Sequence, residues 1–80
     1  MAMTVLRLPS VLARKGDSRS KTYSEIAAGL WPPGVAIGRR ARGWPEHECE
    51  AILRARIAGK SDSEIRELVK NLMAARTATA

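Results

Sequence analysis

Phenylalanine is absent from this chain, and cysteine, histidine and tyrosine each occur once. With no Phe, the large rings of any core must come from Trp31, Trp44 and Tyr23. Three aromatics are also few for a reader of single-stranded RNA, which stacks bases on exposed rings. A lone Cys49 excludes an internal disulfide and a multi-cysteine zinc site, and it fits a reducing cytoplasm. A lone His47 leaves no serine with a His–acid pair behind it. His47 and Cys49 lie two residues apart, so on a helix they point about 200° apart and cannot share an ion. Glu46 and Glu50 do share a helical face, as an exposed pair expected to be solvated. There is no phosphate-binding glycine loop, no internal repeat and no apolar run long enough to span a membrane. The apolar run from Met1 is broken by Arg7 and Pro9 and lacks a basic start, so it does not read as a targeting signal. These absences leave no catalytic constellation, no metal set and no cofactor motif, and they point to a binding protein.

Acidic residues are scarce in the first half. Residues 1–45 hold eight Lys or Arg against only Asp17 and Glu25, whereas residues 46–80 hold six charges of each sign. The whole excess of +6 therefore sits in one segment of the 80 residues. A polyanion is the economical partner for such a segment. An anionic membrane surface fits less well, because the small stripe of Tyr23, Ile26 and Ala27 is core-sized.

What is present is organised around Ser10 to Gly29, which reads as two short helices and a tight turn. Pro9 suits the first turn of the first helix, Val11 and Leu12 form its inner face, and Gly16 permits the turn. Asp17 or Ser18 can cap the second helix, whose apolar stripe is Tyr23, Ile26 and Ala27. Its other face carries Ser18, Arg19, Ser20, Lys21, Thr22 and Ser24, with no acid before Glu25. That is the build of a helix-turn-helix whose second helix enters a DNA major groove, and equally of a helical hairpin with a solvated polar face.

Thr4 to Leu8 reads as a short extended piece with Val5, Leu6 and Leu8 packed. Leu30-Trp31-Pro32-Pro33-Gly34 ends the second helix, with Trp31 folding back onto the core. Val35 to Trp44 reads as a two-stranded β-hairpin whose tip holds Arg39, Arg40 and Arg42, the pattern of a wing able to reach phosphates or a minor groove. Pro45 starts a third helix with Glu46, Glu48 and Glu50 near its positive end and a stripe of Cys49, Ile52, Leu53 and Ile57. After Gly59, Ser61 to Glu64 matches a capping box. The fourth helix repeats apolar residues at Ile65, Leu68, Val69, Leu72 and Met73, and Thr77 to Ala80 is expected to fray. The fold class is thus mainly α with a small hairpin: a winged helix-turn-helix over 1–59, then a C-terminal helix over 60–80 that packs on its own core or on a neighbouring copy.

Several short motifs occur in a fixed order: Arg7-Leu8-Pro9, Gly16-x-Ser18-Arg19-Ser20-x-x-Tyr23, Pro32 ahead of Val35-x-Ile37-Gly38, and Gly43-Trp44 before an acidic helix start. This arrangement resembles the AlpA family of small phage- and mobile-element DNA-binding proteins, relatives of excisionases and of the winged-helix part of the MerR superfamily. The resemblance covers Leu6 to about Ile57. It implies a winged helix-turn-helix, with Ser18, Arg19, Ser20, Lys21 and Thr22 facing a major groove and Arg39, Arg40 and Arg42 as the wing. Tyr23 and Trp44 match framework positions. The chain departs from the family's pattern at Asp17, where many relatives have an apolar residue, and at Lys21 and Thr22, often Thr and an apolar residue. Pro33-Gly34 and the helix from Ser61 depart from it as well.

The expected function is sequence-specific binding of double-stranded DNA in the cytoplasm, for a prophage or integrative element. The protein would act as an excisionase working with an integrase, as a transcriptional regulator, or as both. The alternative is a protein-interaction module that docks through the fourth helix. Self-association through Ile65, Leu68, Val69, Leu72 and Met73 is a further expectation.

Overall fold

The computed structural model describes residues 4–78. Strand β1 (Val5–Leu6) leads into helices α1 (Leu8–Lys15) and α2 (Arg19–Ala27), the hairpin β2 (Val35–Ala36) and β3 (Arg42–Pro45), and helices α3 (Glu46–Ile57) and α4 (Asp62–Ala78).

Local chemistry sets the helix ends. Arg7 is extended, and Pro9 sits in the first turn of α1, where its missing N–H costs nothing. Gly16 closes α1 in the left-handed region at φ 69°, its N–H donating to the Leu12 carbonyl. Ser18, rather than Asp17, caps α2: its Oγ accepts from the Lys21 amide at 3.2 Å. The expected capping box forms at α4, where the Glu64 amide donates to Ser61 Oγ at 3.2 Å and the Ser61 amide to Glu64 Oε1 at 3.1 Å.

The inner face of α2 differs from the expected stripe. Tyr23 is 43% exposed and Ala27 is exposed, whereas Thr22 is fully buried and Ile26 packs partly against the core. The cause is Lys15, whose buried ammonium donates to Thr22 Oγ1 and to Glu25 and so turns those two positions inward. Thr22 also donates to the Ser18 carbonyl at 3.0 Å, which keeps its hydroxyl satisfied inside.

The sheet has three strands rather than two, in the antiparallel order β1-β3-β2. Val5 pairs with Pro45 and Leu6 with Trp44 on one side of β3, and Val35 pairs with Gly43 and Ala36 with Arg42 on the other. The extended lead-in thus becomes a strand, because β3 offers it a free edge. Gly43 leaves room for Val5 there: an added Cβ would lie 2.3 Å from Val5 Cγ1 and force that side chain to shift. Of the lead-in residues expected to pack, Leu6 is buried and Leu8 half-buried, while Val5 stays 40% exposed.

One core joins β1, α1, β3, α3 and α4 with Trp31 of the connecting segment: Leu6, Val11, Trp31, Trp44, Cys49, Ile52, Ile65 and Val69. Trp31 folds back as expected, at 2% exposure, and Trp44 Nε1 donates to the Pro32 carbonyl at 2.9 Å. Ile57 does not belong to this core and is 87% exposed. It lies one turn beyond Leu53, which is itself only half-buried, and so passes the edge of the packed region.

Helix α4 packs on its own domain. Ile65 and Val69 are buried in the common core, with α4 packed against α3, while Leu68 and Leu72 are half-buried and Met73 is 40% exposed. Two residues of the expected self-association or docking stripe, Ile65 and Val69, are therefore used within the chain. Thr77 and Ala78 are helical rather than frayed, and residues 79–80 lie outside the described residues.

Two expected outcomes follow from this packing. Trp44→Ala should lose about 3–5 kcal/mol, most of the stability of a domain this small, and be largely unfolded at 25 °C by circular dichroism. A chain ending at Gly59 loses Ile65 and Val69 from the core and should be unfolded by the same measurement. A folded Gly59 fragment would mean that α4 is dispensable to the core.

Candidate nucleic-acid interface

The basic excess becomes informative once the ion pairs are placed. Arg14 reaches Glu46 at 2.6 Å and Glu50 at 3.8 Å, so these two carboxylates hold α1 to α3 instead of being left to solvent. Lys15 is enclosed by Glu25, Asp17 at 3.7 Å and the Trp31 ring, whose centroid lies 4.3 Å from Nζ. Lys21 pairs with Asp17 at 3.2 Å. Both acids of the first 45 residues are thus consumed. Arg7, Arg19, Arg39, Arg40 and Arg42 have no carboxylate partner among the described residues.

Four of these five arginines converge. Arg7, Arg19, Arg40 and Arg42 line one groove with Tyr23, over a floor that includes Leu8, Pro9 and Trp44. The groove runs between the start of α1, the start of α2 and the hairpin. Arg19 stands over the Tyr23 ring, 5.8 Å from its centroid, and Arg42 Nη1 donates to the Gly34 carbonyl at 3.2 Å. Arg39 is exposed at the hairpin tip, outside the groove lining.

Helix dipoles add to this field. Helices α3 and α4 carry acids in their first turns, Glu46 and Glu48 in one and Asp62 and Glu64 in the other. Helices α1 and α2 carry none, and their N-termini border the groove. A helix N-terminus favours negative charge, so placing Arg19 there without a carboxylate partner is locally unfavourable in the free protein and becomes favourable beside an anion, whereas Lys21 already pairs with Asp17. Unpaired guanidinium groups gathered in one groove repel one another and have the same requirement.

The expected site residues fall into three groups. Arg19, Ser20, Lys21 and Ser24 are exposed on α2, with Ser18 at its cap. Arg39, Arg40 and Arg42 are exposed on the hairpin. Thr22 is the correction: its side chain is fully buried against Lys15 and cannot face a ligand. The apolar residue common at this position in the resembling family was the signal for an inward position. Sequence reading missed Arg7 and Tyr23. Tyr23 is four residues after Arg19, one helical turn along the same face, and that spacing placed it outside rather than in the core.

Other chemistry is sparse. Among the described residues no group of His, Cys, Asp and Glu could hold a metal ion, and no helix is long and apolar enough to cross a membrane. His47 is exposed, while Cys49 is 1% exposed. Burial, reinforced by the neighbouring Glu48, pushes the Cys49 thiol up to about 11.

The sequence model of the family described as "Prophage CP4-57 regulatory protein (AlpA)" matches residues 4–57, which span β1 through α3. The chain belongs to the AlpA family. The match includes the helix-turn-helix, the hairpin and every arginine of the groove, and it stops before the AlpA domain of this chain meets α4. A second similarity is to "Uncharacterized protein ORF88" of Enterobacteria phage P4, 40% identical over 55 residues, which are 69% of this chain. The chain spans about 62% of the length of that relative. No solved structure matches the chain.

Cys49 gives a test of the packing beneath the site. Its folded-state pKa is raised, so the folded protein favours the neutral thiol, and the unfolded chain ionises first as pH rises. Stability should be unaffected below the ordinary thiol range and decline from there up to about pH 11. A thiol reagent at pH 8 should modify Cys49 only on unfolding, and rapid labelling of the native protein would contradict its burial.

Proposed function

We propose that this protein binds double-stranded DNA in the cytoplasm as a regulatory factor of a prophage or integrative element. The observation that carries the reading is the groove where Arg7, Arg19, Arg40 and Arg42 meet beside two helices whose first turns lack acids. Helix α2 enters the major groove with Arg19, Ser20, Lys21 and Ser24 toward base edges and nearby phosphates, and Ser18 at its leading end. Arg39, Arg40 and Arg42 of the hairpin hold phosphates or the adjacent minor groove, and Arg7 and Tyr23 add contacts between the two. The work is binding, not catalysis. The family's description as a prophage regulatory protein supports a role in control. Within that role the protein acts as an excisionase that directs an integrase, as a transcriptional regulator of nearby genes, or as both.

The reading is tested by selecting bound sequences from a pool of randomised duplexes, then titrating the enriched duplex and a mixed-sequence duplex against salt. Arg19→Ala should cost about 1–3 kcal/mol on the enriched duplex and relax specificity. Arg40→Ala should weaken both duplexes alike and lower the salt slope by about one. A pool that yields no bound duplex would refute DNA binding, and an unchanged slope in Arg40→Ala would remove the hairpin from the interface. A recombination assay with the element's integrase, beside a promoter–reporter assay, separates the two regulatory roles.

A further inference from the structure

The segment Ala28–Gly34 joins α2 to the hairpin and has no regular structure of its own. Two of its residues are prolines, which offer no N–H. Its carbonyls are held from outside by side chains: Ala28 O accepts from Arg66 Nε at 2.9 Å, Pro32 O from Trp44 Nε1 at 2.9 Å, Pro33 O from Arg76 Nη2 at 2.9 Å, and Gly34 O from Arg42 Nη1 at 3.2 Å. Two of the four donors come from α4. Arg66 and Arg76 are ten residues apart on that helix, about 15 Å of rise. One secures the C-terminal end of α2, and the other secures the base of the hairpin.

Arg76 is itself fixed. Its Nε and Nη2 donate to the two oxygens of Glu48 at 2.9 and 2.6 Å, and Glu48 is 1% exposed. Arg76 cannot swing away without stranding a buried carboxylate. Glu48 lies on α3, inside the residues that match the AlpA family, whereas both arginines lie beyond them. Helix α4 therefore brings to the matched domain two cations that grip the α2-to-hairpin segment at both ends.

We propose that α4 is a splint that sets the spacing between α2 and the wing, with Arg66 and Arg76 as its positioning residues. The inference rests on the DNA-binding reading above. A duplex presents its major groove and its flanking phosphates at fixed separation, so a linker without hydrogen-bonded secondary structure would let the two contact elements drift apart in the free protein. Ordering them beforehand removes that cost from binding. Arginine suits the task at Arg76 because its planar fork reaches a carboxylate and a carbonyl at once, which a lysine point charge does not.

The test uses the full chain, with the enriched duplex from the randomised pool as ligand. Arg66→Ala removes an exposed hydrogen bond, and Arg76→Lys keeps a cation beside Glu48 while giving up the Pro33 carbonyl. Both should retain the wild-type circular dichroism spectrum yet bind about tenfold more weakly, a modest value for coupling between two sites. In the Arg76→Lys background, Arg40→Ala should cost much less than it does in the wild type, because the wing is already misplaced. A role confined to stability would leave that cost unchanged. Spin labels on Ser24→Cys and Arg39→Cys, read without DNA, should show a broadened distance distribution in both variants. If Arg76→Lys does not fold, Arg66→Ala decides alone. Wild-type affinity and an unchanged distance distribution in the folded variants would overturn the splint and leave DNA binding intact. A wild-type chain that enriches no duplex would sink the DNA reading, and the distance measurement would still judge the splint.

Discussion

The arrangement depends on one buried ammonium group. Lys15 ends α1 with its side chain only 3% exposed, and it finds its compensation in the next element: Glu25 and Thr22 on α2, Asp17 in the turn, and the face of Trp31 just beyond. A buried charge must be paired, and removing one partner of such a group costs several kcal/mol, so this network dictates how α2 may be rotated. With Thr22 and Glu25 turned inward, Arg19, Ser20 and Tyr23 are turned outward. The charge of the outer face is thus a by-product of how an inner charge is neutralised. Arg14 does the equivalent one residue earlier by pairing with Glu46 and Glu50, which locks α1 to α3. The first-half acids and the α3 carboxylates are spent on structure, and the groove arginines are left without a carboxylate partner among the described residues.

The punctuation of the fold was legible because it is written in residues with narrow conformational rules. Pro9, Gly16, Ser18, Pro45, Gly59 and the Ser61–Glu64 box mark helix ends where the structure has them, and the hairpin follows from the glycines around its arginine-rich tip. The rotation of α2 was not legible, since it rests on a cation and its partners meeting in the interior, and periodicity of apolar residues has no term for that. The strand at Val5–Leu6 was half legible: an extended lead-in was expected, but pairing with β3 depends on a partner forty positions away in the register Val5 to Pro45. Separation in sequence, here 28 residues, likewise hid the Glu48–Arg76 pair.

The site shows a similar division. Arg39, Arg40 and Arg42 could be read directly, because three arginines without a nearby acid are conspicuous in any sequence. Arg7 could not, because only the β1–β3 pairing carries it to the hairpin. Net charge is a property of the composition, but a binding surface is a property of which charges are left over, and that difference requires the ion pairs to be drawn.

The pairing of β1 with β3 also constrains how the molecule can be made. As the chain emerges from the ribosome, β1 and Arg7 come first and have no sheet to join until Pro45 has followed them. The carboxylate of Glu48 cannot be buried beside its cation until Arg76 has been added. Non-local closures of this kind delay folding until their last participant arrives. The groove arginines are therefore made before they are grouped: Arg7 waits for Trp44 and Pro45, and the Glu48 anchor beneath the hairpin waits for Arg76.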